Sequence, residues 1–200
     1  KLRREIESIR SQGIADYEIL LGGAIPPGFD DVLCVDLTDA AKNGRLGYMR
    51  NRLVERARYA VIVVADDDML FHPGFAQGIL EYRGDYDVLC VRMLNTDGTR
   101  FWDWAVYGAP TGHHLIPYDV QDPFVYVTGG MCVMRSYVPH LVRWSDSLGF
   151  YQFEDIDFSQ KLNAAGLRIR CCRESAVTHN DERYYGNNYQ VAKRPEVLRP

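Results

Sequence analysis

Three consecutive aspartates, Asp66, Asp67 and Asp68, directly follow an apolar run at residues 61–65. That run is β-branched except for its last residue, which predicts a central strand buried on both faces. Ligands of open α/β sheets bind beyond the carboxyl ends of the strands, which is where these aspartates stand. Adjacent carboxylates repel one another unless a cation lies among them, and Mg²⁺ and Mn²⁺ prefer oxygen ligands. The triplet therefore predicts a divalent metal site, although a solvated turn that caps the next helix would use the same residues.

A second acidic pair, Glu154 and Asp155, begins another predicted helix. At about 100° per residue, Phe158, Leu162 and Ala165 form one apolar stripe along it. Both carboxylates lie at the edges of that stripe and so point towards the protein body, where the helix dipole favours their ionised forms. An ionised, partly buried carboxylate can act as a general base. We expect Asp155 to be that base, with Glu154 as the second choice, although both residues could simply satisfy first-turn amides.

Strands and helices must position these two acidic groups, and the sequence predicts their alternation. Strand-like runs lie at residues 17–21, 32–35, 61–65, 87–93, 124–128, 131–134 and 167–172, and helical periodicity lies at residues 1–12, 46–59, 73–82 and 154–165. This order predicts an α/β fold with a mixed, mainly parallel central sheet. Residues 95–123 are rich in glycine, proline and aromatic residues, and we interpret them as an irregular excursion of short strands and loops. Residues 180–200 are a polar tail.

The composition is that of a globular protein that forms a single domain over residues 1–200. With 46% hydrophobic and 25% charged residues, the chain can bury a core. A net charge of -4 without a basic tract argues against nucleic acid as a partner. No apolar run approaches the roughly 20 residues that span a bilayer. The five cysteines include no CxxC pair, which indicates reduced thiols and a cytoplasmic location, with peripheral membrane attachment left open.

Taken in order, these motifs resemble glycosyltransferase family 2, whose members adopt the GT-A fold. The resemblance extends to His179, and its motifs are weak singly but fairly specific in their order and spacing. The matching segments are residues 2–12 as the first helix, 43–51 before the metal-site strand, 61–68 as the strand with its DxD motif, 128–131 as a glycine turn, and 154–166 as the acidic motif. His179 matches a histidine that often completes the metal site, although a lone histidine is more often structural.

The resemblance implies a role for each matched residue. The donor site would comprise Asp66, Asp67, Asp68, Arg50 and Asn51. The Mn²⁺ or Mg²⁺ site would comprise Asp68, Asp66 and His179. The acceptor pocket would include Gly129 and Gly130, with Asp155 deprotonating the acceptor and inversion at the anomeric carbon. Without the resemblance, Arg50 is explained more simply as part of the solvated face of its helix.

Two departures narrow what the resemblance implies. The family has a strand before its opening helix, whereas this chain begins at Lys1 inside the apparent helix, so we expect a front strand to be missing. The strand at residues 17–21 runs into Gly22 and Gly23 where the family has acidic residues. The usual carboxylate for the nucleobase is therefore missing, which leaves UDP, GDP, dTDP and CDP sugars all open.

We expect, from these residues together, a metal-dependent glycosyltransferase that moves a sugar from a nucleoside-diphosphate sugar to a hydroxyl of a saccharide or other acceptor. Trp102 and Trp104 in the excursion could stack on acceptor sugar rings, although aromatic residues in such loops more often form local core. Two alternatives stay open, a sugar-1-phosphate nucleotidyltransferase and a non-catalytic module that binds a sugar nucleotide. Retaining chemistry and the oligomeric state are open as well.

Overall fold

Helices and strands alternate along the chain, as the sequence pattern predicts. The computed structural model describes residues 1–24, 27–108, 112–149 and 152–180, so the predicted tail lies outside the described residues apart from Asn180. The helices are α1 (Leu2–Arg10), α2 (Thr38–Lys42), α3 (Leu46–Val54), α4 (Phe75–Glu81), α5 (Val138–Leu141) and α6 (Glu154–Ala164). The strands are β1 (Leu20–Gly23), β2 (Leu33–Asp36), β3 (Val61–Ala65), β4 (Met69–Phe71), β5 (Val88–Leu94), β6 (Ala105–Gly108), β7 (Gly112–Leu115), β8 (Val125–Tyr126), β9 (Met131–Arg135) and β10 (Ile169–His179). None of the helices in the described ranges is long and apolar enough to cross a bilayer.

A five-stranded mixed sheet in the order β3-β9-β5-β10-β4 carries the predicted site. In it β5 and β10 pair in parallel, whereas β3 with β9, β9 with β5, and β10 with β4 pair antiparallel. The prediction of a mixed sheet is confirmed, but the prediction that it is mainly parallel is wrong for these pairings. The reason is that β4 and β9 follow turns and the excursion instead of helical crossovers, and both run against their neighbours.

The strand before the aspartates, β3, lies at an edge of this sheet and not at its centre. Among the described strands it pairs only with β9, and Val63 in its middle is 42% exposed. The expectation of a central strand buried on both faces is therefore wrong. β-Branched residues favour an extended backbone on a pleated surface, and they do not report how many neighbours a strand has.

One apolar face of the five-stranded sheet holds α6 in place. One cluster joins Val88 and Cys90 of β5 with Phe158 and Leu162 of α6. A second cluster contains Leu89, which points to the opposite face because successive strand residues alternate. Phe158 and Leu162 are almost completely buried, so the predicted apolar stripe of this helix is confirmed for these two residues, whereas Ala165, its third predicted member, is exposed at the end of the helix. Docking along that stripe fixes where the acidic N-terminus of α6 lies.

The N-terminal part of the chain packs beside β4 and a small separate sheet. Strands β1 and β2 pair in parallel, and Ile6 of α1 is buried against Phe29 and Val32 next to them. Ser8 Oγ of α1 accepts a hydrogen bond from the Phe71 backbone N–H at 3.0 Å. The predicted first helix is therefore confirmed, and it is fixed to the strand that follows the aspartates.

The excursion at residues 95–123 is more regular than its composition predicts. Strands β7, β6 and β8 form a three-stranded antiparallel sheet. Asp103, which is 1% exposed, accepts hydrogen bonds from the backbone N–H groups of Met93 and Trp104. Its carboxylate is also bonded to Arg100 and to the hydroxyl of Tyr118. This buried network ties the excursion to β5, because each polar group in it has a partner.

Candidate active site

Arg50 joins the two acidic motifs. It lies on α3, is 6% exposed, and donates from Nη2 to Asp66 Oδ1 and from Nη1 to Glu154 Oε1, both at 3.1 Å. Burial alone would lower the pKa of the guanidinium, but Asp66 and Glu154 outweigh it and raise that pKa. The alternative that Arg50 belongs to a solvated helix face is therefore wrong. One buried cation therefore joins Asp66, the first residue of the aspartate triplet, to the N-terminus of α6.

The two carboxylates at the start of α6 differ in their surroundings. Glu154 is buried and bonded to Arg50, so its charge is already paired. Asp155 is half-buried and accepts the Ile156 backbone N–H at 2.8 Å. Burial raises the pKa of Asp155, and the neighbouring Glu154 raises it further. Of the two predicted candidates for a base, Asp155 is the one whose carboxylate has no cationic partner bonded to it among the described residues, and its catalytic role stays a prediction.

The glycine turn Gly129-Gly130 lies between the two acidic motifs. A Cβ added at Gly129 would meet Glu154 Oε1 at 2.9 Å and Arg50 Nη2 at 3.5 Å. A Cβ at Gly130 would meet Asp66 Oδ2 at 3.6 Å, and the Asp66 backbone N–H donates to the Gly130 carbonyl at 2.9 Å. The tight contacts are with Glu154 Oε1 at Gly129 and with Met69 Cε, 2.8 Å from a Cβ at Gly130, so a larger residue at either position would displace one of these side chains. The turn therefore lies next to both Asp66 and Glu154, between the two acidic motifs.

Asp68 and His179 lie together at the other side of the triplet. Strands β4 and β10 pair with His179 opposite Met69, and the Asn180 backbone N–H donates to the Asp68 carbonyl at 2.8 Å. This register brings His179 Nε2 to 3.5 Å from Asp68 Oδ1. Asp68 is 5% exposed, whereas Asp67 is exposed. β10 is longer than the strand predicted at residues 167–172, so His179 ends a strand and does not follow one.

The predicted metal set is only partly assembled. Asp68 and His179 are adjacent, but Asp66, the third predicted ligand, is bonded to Arg50. Within the described ranges, no group of three or more His, Cys, Asp or Glu side chains is arranged to hold a metal ion. A Mg²⁺-type site commonly takes one or two protein carboxylates and completes its coordination with water and substrate phosphates. The Asp68–His179 pair fits a divalent cation of that open kind.

Two predicted binding residues lie away from any open surface of the site. Asn51 is 2% exposed, and its side chain bonds Asp146 and both the carbonyl and the N–H of Trp144. Both the oxygen and the nitrogen of its amide are hydrogen-bonded inside the protein, so the prediction that Asn51 binds the donor is wrong. Trp104 is completely buried, and its Nε1 donates to the Val120 carbonyl. Trp104 is therefore part of the local hydrophobic core, as the alternative interpretation held, and it cannot stack on an acceptor sugar.

The structure places Trp102, which was predicted to contact the acceptor, in an aromatic patch that reaches Phe153, two residues before Asp155, and whose other members were not predicted. The patch, defined as Trp102, Tyr107, His113 and Phe153, is continuous: Trp102 stacks on His113 at 4.1 Å, and Tyr107 lies 5.3 Å from His113 and 5.7 Å from Phe153. Phe153 is 59% exposed and has φ 58°, which bulky side chains rarely adopt. In the sequence, only the position of Phe153 directly before the acidic pair could have singled it out. Its left-handed backbone conformation is seen only in the structure.

Comparison with known proteins gives a fold and no family. No family profile and no curated protein matches the chain. A structure of GalNAc-T7 with UDP, GalNAc and Mn2+ matches with a TM-score of 0.63 and 14% identity, over 89% of this chain and 40% of that one. The inositol-1-phosphate CTP transferase from T. maritima matches with a TM-score of 0.52 and 12% identity, over 96% and 81%. The catalytic domain of Drosophila beta1,4galactosyltransferase 7, in complex with xylobiose, matches at 0.50 and 17% identity, over 96% and 72%.

These matches decide the architecture. The chain has the GT-A fold. The resemblance of the sequence motifs is thereby confirmed at the level of the fold, including the α/β class and the central mixed sheet. In this GT-A chain Asp66, Glu154 and the glycine turn lie around Arg50, while Asp68 and His179 form a separate pair at the end of β10.

Proposed function

We propose that this chain is a glycosyltransferase that uses a nucleoside-diphosphate sugar and a divalent cation. The observation that carries the proposal is the double ion pair of Arg50 with Asp66 and Glu154 at 3.1 Å each. It fixes a donor half, the aspartate triplet, against an acceptor half, the start of α6. A transferase needs both halves within one site, because the two reacting groups must be held in contact.

The donor side is supported by the pairing of Asp68 with His179. These two residues would hold Mn²⁺ or Mg²⁺, with Asp66 and Asp67 towards the nucleotide. When bound, the cation would neutralise charge on the leaving diphosphate. A similar fold was solved with UDP, GalNAc and Mn2+, which agrees with a donor of this chemical class. The proposal does not specify the base or the sugar of the donor, because Gly22 and Gly23 of β1 stand where the family has the carboxylate that contacts the nucleobase.

On the acceptor side, we assign Asp155 as the general base. Its carboxylate accepts the proton of the acceptor hydroxyl as the oxygen bonds to the anomeric carbon. The nucleoside diphosphate leaves from the opposite face, so the anomeric configuration inverts. The Ile156 backbone N–H holds the Asp155 carboxylate, and the neighbouring Glu154 is paired with Arg50. Gly129 and Gly130 leave room between the two halves, where any side chain would meet Glu154 or Met69.

The aromatic patch supports a saccharide as the acceptor. Phe153 is two residues before Asp155, and its ring is exposed beside Tyr107. Aromatic rings present an apolar surface with a polar edge, which suits the faces of sugar rings. Backbone strain of the kind seen at Phe153 clusters at binding sites. We assign Phe153, with Trp102 further along the patch, as the surface on which the acceptor ring rests.

Replacing Phe153 with glycine is expected to raise the acceptor KM about tenfold, equivalent to ~1.4 kcal/mol of lost binding. Glycine also relieves the φ of 58°, so the melting temperature is expected to stay equal or to rise. Phe153→Trp is expected to keep the KM within about threefold, because the ring is retained. Tyr59→Ala, at an aromatic residue that is 40% exposed outside the patch, serves as the control. An unchanged acceptor KM in the glycine variant would rule out stacking on Phe153.

Donor binding tests the proposal most directly. A panel of nucleoside-diphosphate sugars with Mn²⁺ or Mg²⁺ is expected to include one that stabilises the fold by about 2.7 kcal/mol at a hundredfold excess over Kd. Asp68→Asn is expected to abolish that metal-dependent shift, whereas Asp16→Asn, at an exposed aspartate, is not. Thermal shift measures the donor-dependent stabilisation and its loss in Asp68→Asn. In a separate transfer assay, the anomeric configuration of the product shows whether the reaction inverts. If no donor stabilised the protein with either metal, the proposal would fail.

A nucleotidyltransferase is the second candidate, because a CTP transferase shares the fold over 96% of this chain. Supplying sugar-1-phosphate and a nucleoside triphosphate separates the two activities. Release of pyrophosphate would favour the nucleotidyltransferase. Release of nucleoside diphosphate from a nucleotide sugar favours the glycosyltransferase, which the paired carboxylates of α6 support. A module that only binds the donor would release neither product.

A further inference from the structure

Gly47 and Asn51 form a notch on one side of α3. Both are buried, and because they are one helical turn apart they lie on the same face of the helix. The backbone of residues 144–146 lies in this notch. A Cβ at Gly47 would overlap the Ser145 carbonyl oxygen, so only glycine lets the segment come so close to the helix. The notch therefore fixes where residues 144–146 lie on α3.

The Asn51 side chain holds this segment in the notch through its amide. Its Nδ2 donates to the Trp144 carbonyl at 2.8 Å and to Asp146 Oδ1 at 2.7 Å. Its Oδ1 accepts the Trp144 backbone N–H at 3.2 Å. Because one buried amide bonds both backbone groups of Trp144, it fixes the orientation of that residue as well as its position.

Trp144 connects the notch to α6. Its side chain is almost completely buried and stacks on Phe158, with 3.9 Å between the ring centroids and 11° between the ring planes. Phe158 is one helical turn after Asp155, so the two residues are neighbours on the surface of α6. A rotation of α6 would separate the stacked rings, and the contact therefore opposes that rotation.

Two consecutive residues of α3 thus hold the beginning of α6 at separate points. Arg50 bonds Glu154 at the start of the helix, and Asn51 acts through Trp144 one turn further along. A single attachment would leave the helix free to turn about it, whereas two attachments also fix its rotation. The direction of the Asp155 side chain depends on this rotation, because each side chain leaves a helix at a set angle around the axis.

We propose that Asn51, together with Gly47, is a positioning residue for Asp155, and that the notch sets the direction in which this carboxylate meets the acceptor hydroxyl. This inference rests on the proposed function, since it takes Asp155 as the general base. Neither notch residue is assigned a contact with donor, cation or acceptor. They act on the geometry of proton removal, where a misplacement of about 1 Å can lower a rate roughly 10²-fold.

The first test needs no substrate, because the Asp155 carboxyl can be titrated by carbon NMR in the folded full chain. Its pKa is raised, first by burial and then by Glu154. In Asn51→Ala the pKa is expected to fall towards its ordinary value, because a loosened helix start exposes the carboxylate to water. Gly47→Ala is expected to act in the same direction by displacing residues 144–146, although alanine is the better helix former. An unchanged pKa in both variants would overturn the proposal.

The second test is the hydrolysis of a nucleotide sugar, with water in place of the acceptor and released nucleoside diphosphate as the product. The probe is whichever UDP, GDP, dTDP or CDP sugar stabilises the chain with Mn²⁺. Asn51→Ala is expected to slow hydrolysis about tenfold without changing the Kd of the donor. In the Asp155→Asn background the same change is expected to cost less than about twofold, because residues that act as a unit are not additive. Equal losses in both backgrounds would contradict a role through Asp155, since a general weakening of the structure predicts them.

Asn163→Ala is the matched control, because Asn163 is an exposed asparagine of α6 whose side chain bonds the Pro123 carbonyl at 3.4 Å. It is expected to leave the pKa of Asp155 unchanged and the hydrolysis rate within about twofold. Each variant is measured at a temperature at which circular dichroism shows it folded, and Gly47→Ala carries both tests if Asn51→Ala does not fold. If the unmodified chain hydrolysed no donor, the proposed function would fail, while the titration would still show whether the notch places Asp155.

Discussion

Replacing Asp155 with asparagine is expected to reduce the rate of sugar transfer by about 10²–10⁴-fold, the usual contribution of a general base. Asparagine has nearly the same shape but cannot take the proton of the acceptor hydroxyl. The donor side of the site, at the aspartate triplet, is held by Arg50 and is not altered by the change. Single-turnover transfer at saturating donor and metal measures the loss, and donor binding measured in parallel is expected to persist.

The fold is expected to tolerate this change or to gain stability from it. The pKa of Asp155 is raised above 3.8 by burial and then by Glu154. A carboxyl whose native pKa is raised stabilises the fold while it is protonated, and that contribution is lost as the pH rises through the native pKa. At neutral pH the ionised Asp155 therefore opposes folding, and asparagine removes the cost. A lost activity with an unchanged or higher melting temperature separates a missing base from a misfolded protein.

Asp157→Asn provides the matched control for Asp155. Asp157 lies on the same helix, but its side chain bonds Lys161 and Ser145 at the surface. Because exposed ion pairs of this kind contribute little, transfer is expected to stay within about twofold of the unmodified chain. Near-normal turnover in Asp155→Asn would remove the assignment of the base. Glu154 would not replace it, since that carboxylate is bonded to Arg50.

Local sequence patterns predict the parts of the site that depend on one element. Helical periodicity predicts α6, and its stripe of Phe158 and Leu162 is buried as expected, which orients the two carboxylates at its start. The apolar run before Asp66 predicts β3 with its observed bounds. Both predictions succeed because the periods of helix and strand set the direction of neighbouring side chains without reference to the rest of the chain.

Pairing between distant elements is what the sequence leaves undetermined. Arg50 and Glu154 are 104 residues apart, and no spacing rule connects them. Asn51, the next residue after Arg50, matched the same motif, yet a helix turns about 100° per residue and so directs the two side chains to different neighbours. The position of β9 between β3 and β5 is likewise set by tertiary packing, and the alternation of strands and helices along the sequence does not predict it.

The extent of β10 is a further case of this kind. The polar residues Arg173, Glu174 and Ser175 hide the continuation of the strand, because a register shift between Cys172 and Ala176 accommodates them. Strand periodicity ends at such an irregularity even though the ladder continues. Only the continued ladder brings His179 opposite Met69 and thus next to Asp68. The histidine could therefore be matched to a motif, but its partner could not be derived from local pattern.

Replacing Arg50 with methionine is expected to destabilise the protein by about 3–5 kcal/mol, the range for removing one partner of a buried ion pair. Methionine fills a similar volume but leaves Asp66 and the buried Glu154 without their shared cation. Arg50→Lys keeps the charge yet cannot reach both carboxylates with two separate N–H groups, so an intermediate loss is expected. Chemical denaturation measures the free energy of unfolding for each variant.

The cause of that loss can be isolated with a second substitution. If unpaired carboxylates are responsible, Glu154→Gln in the Arg50→Met background is expected to recover part of the stability, because one buried charge disappears. Arg58→Met is the control, since Arg58 is 75% exposed in its pair with Glu18, and a change within about 1 kcal/mol is expected. A double variant as unstable as Arg50→Met would show that packing around Arg50, and not its bridge between the two acidic motifs, holds the donor and acceptor halves together.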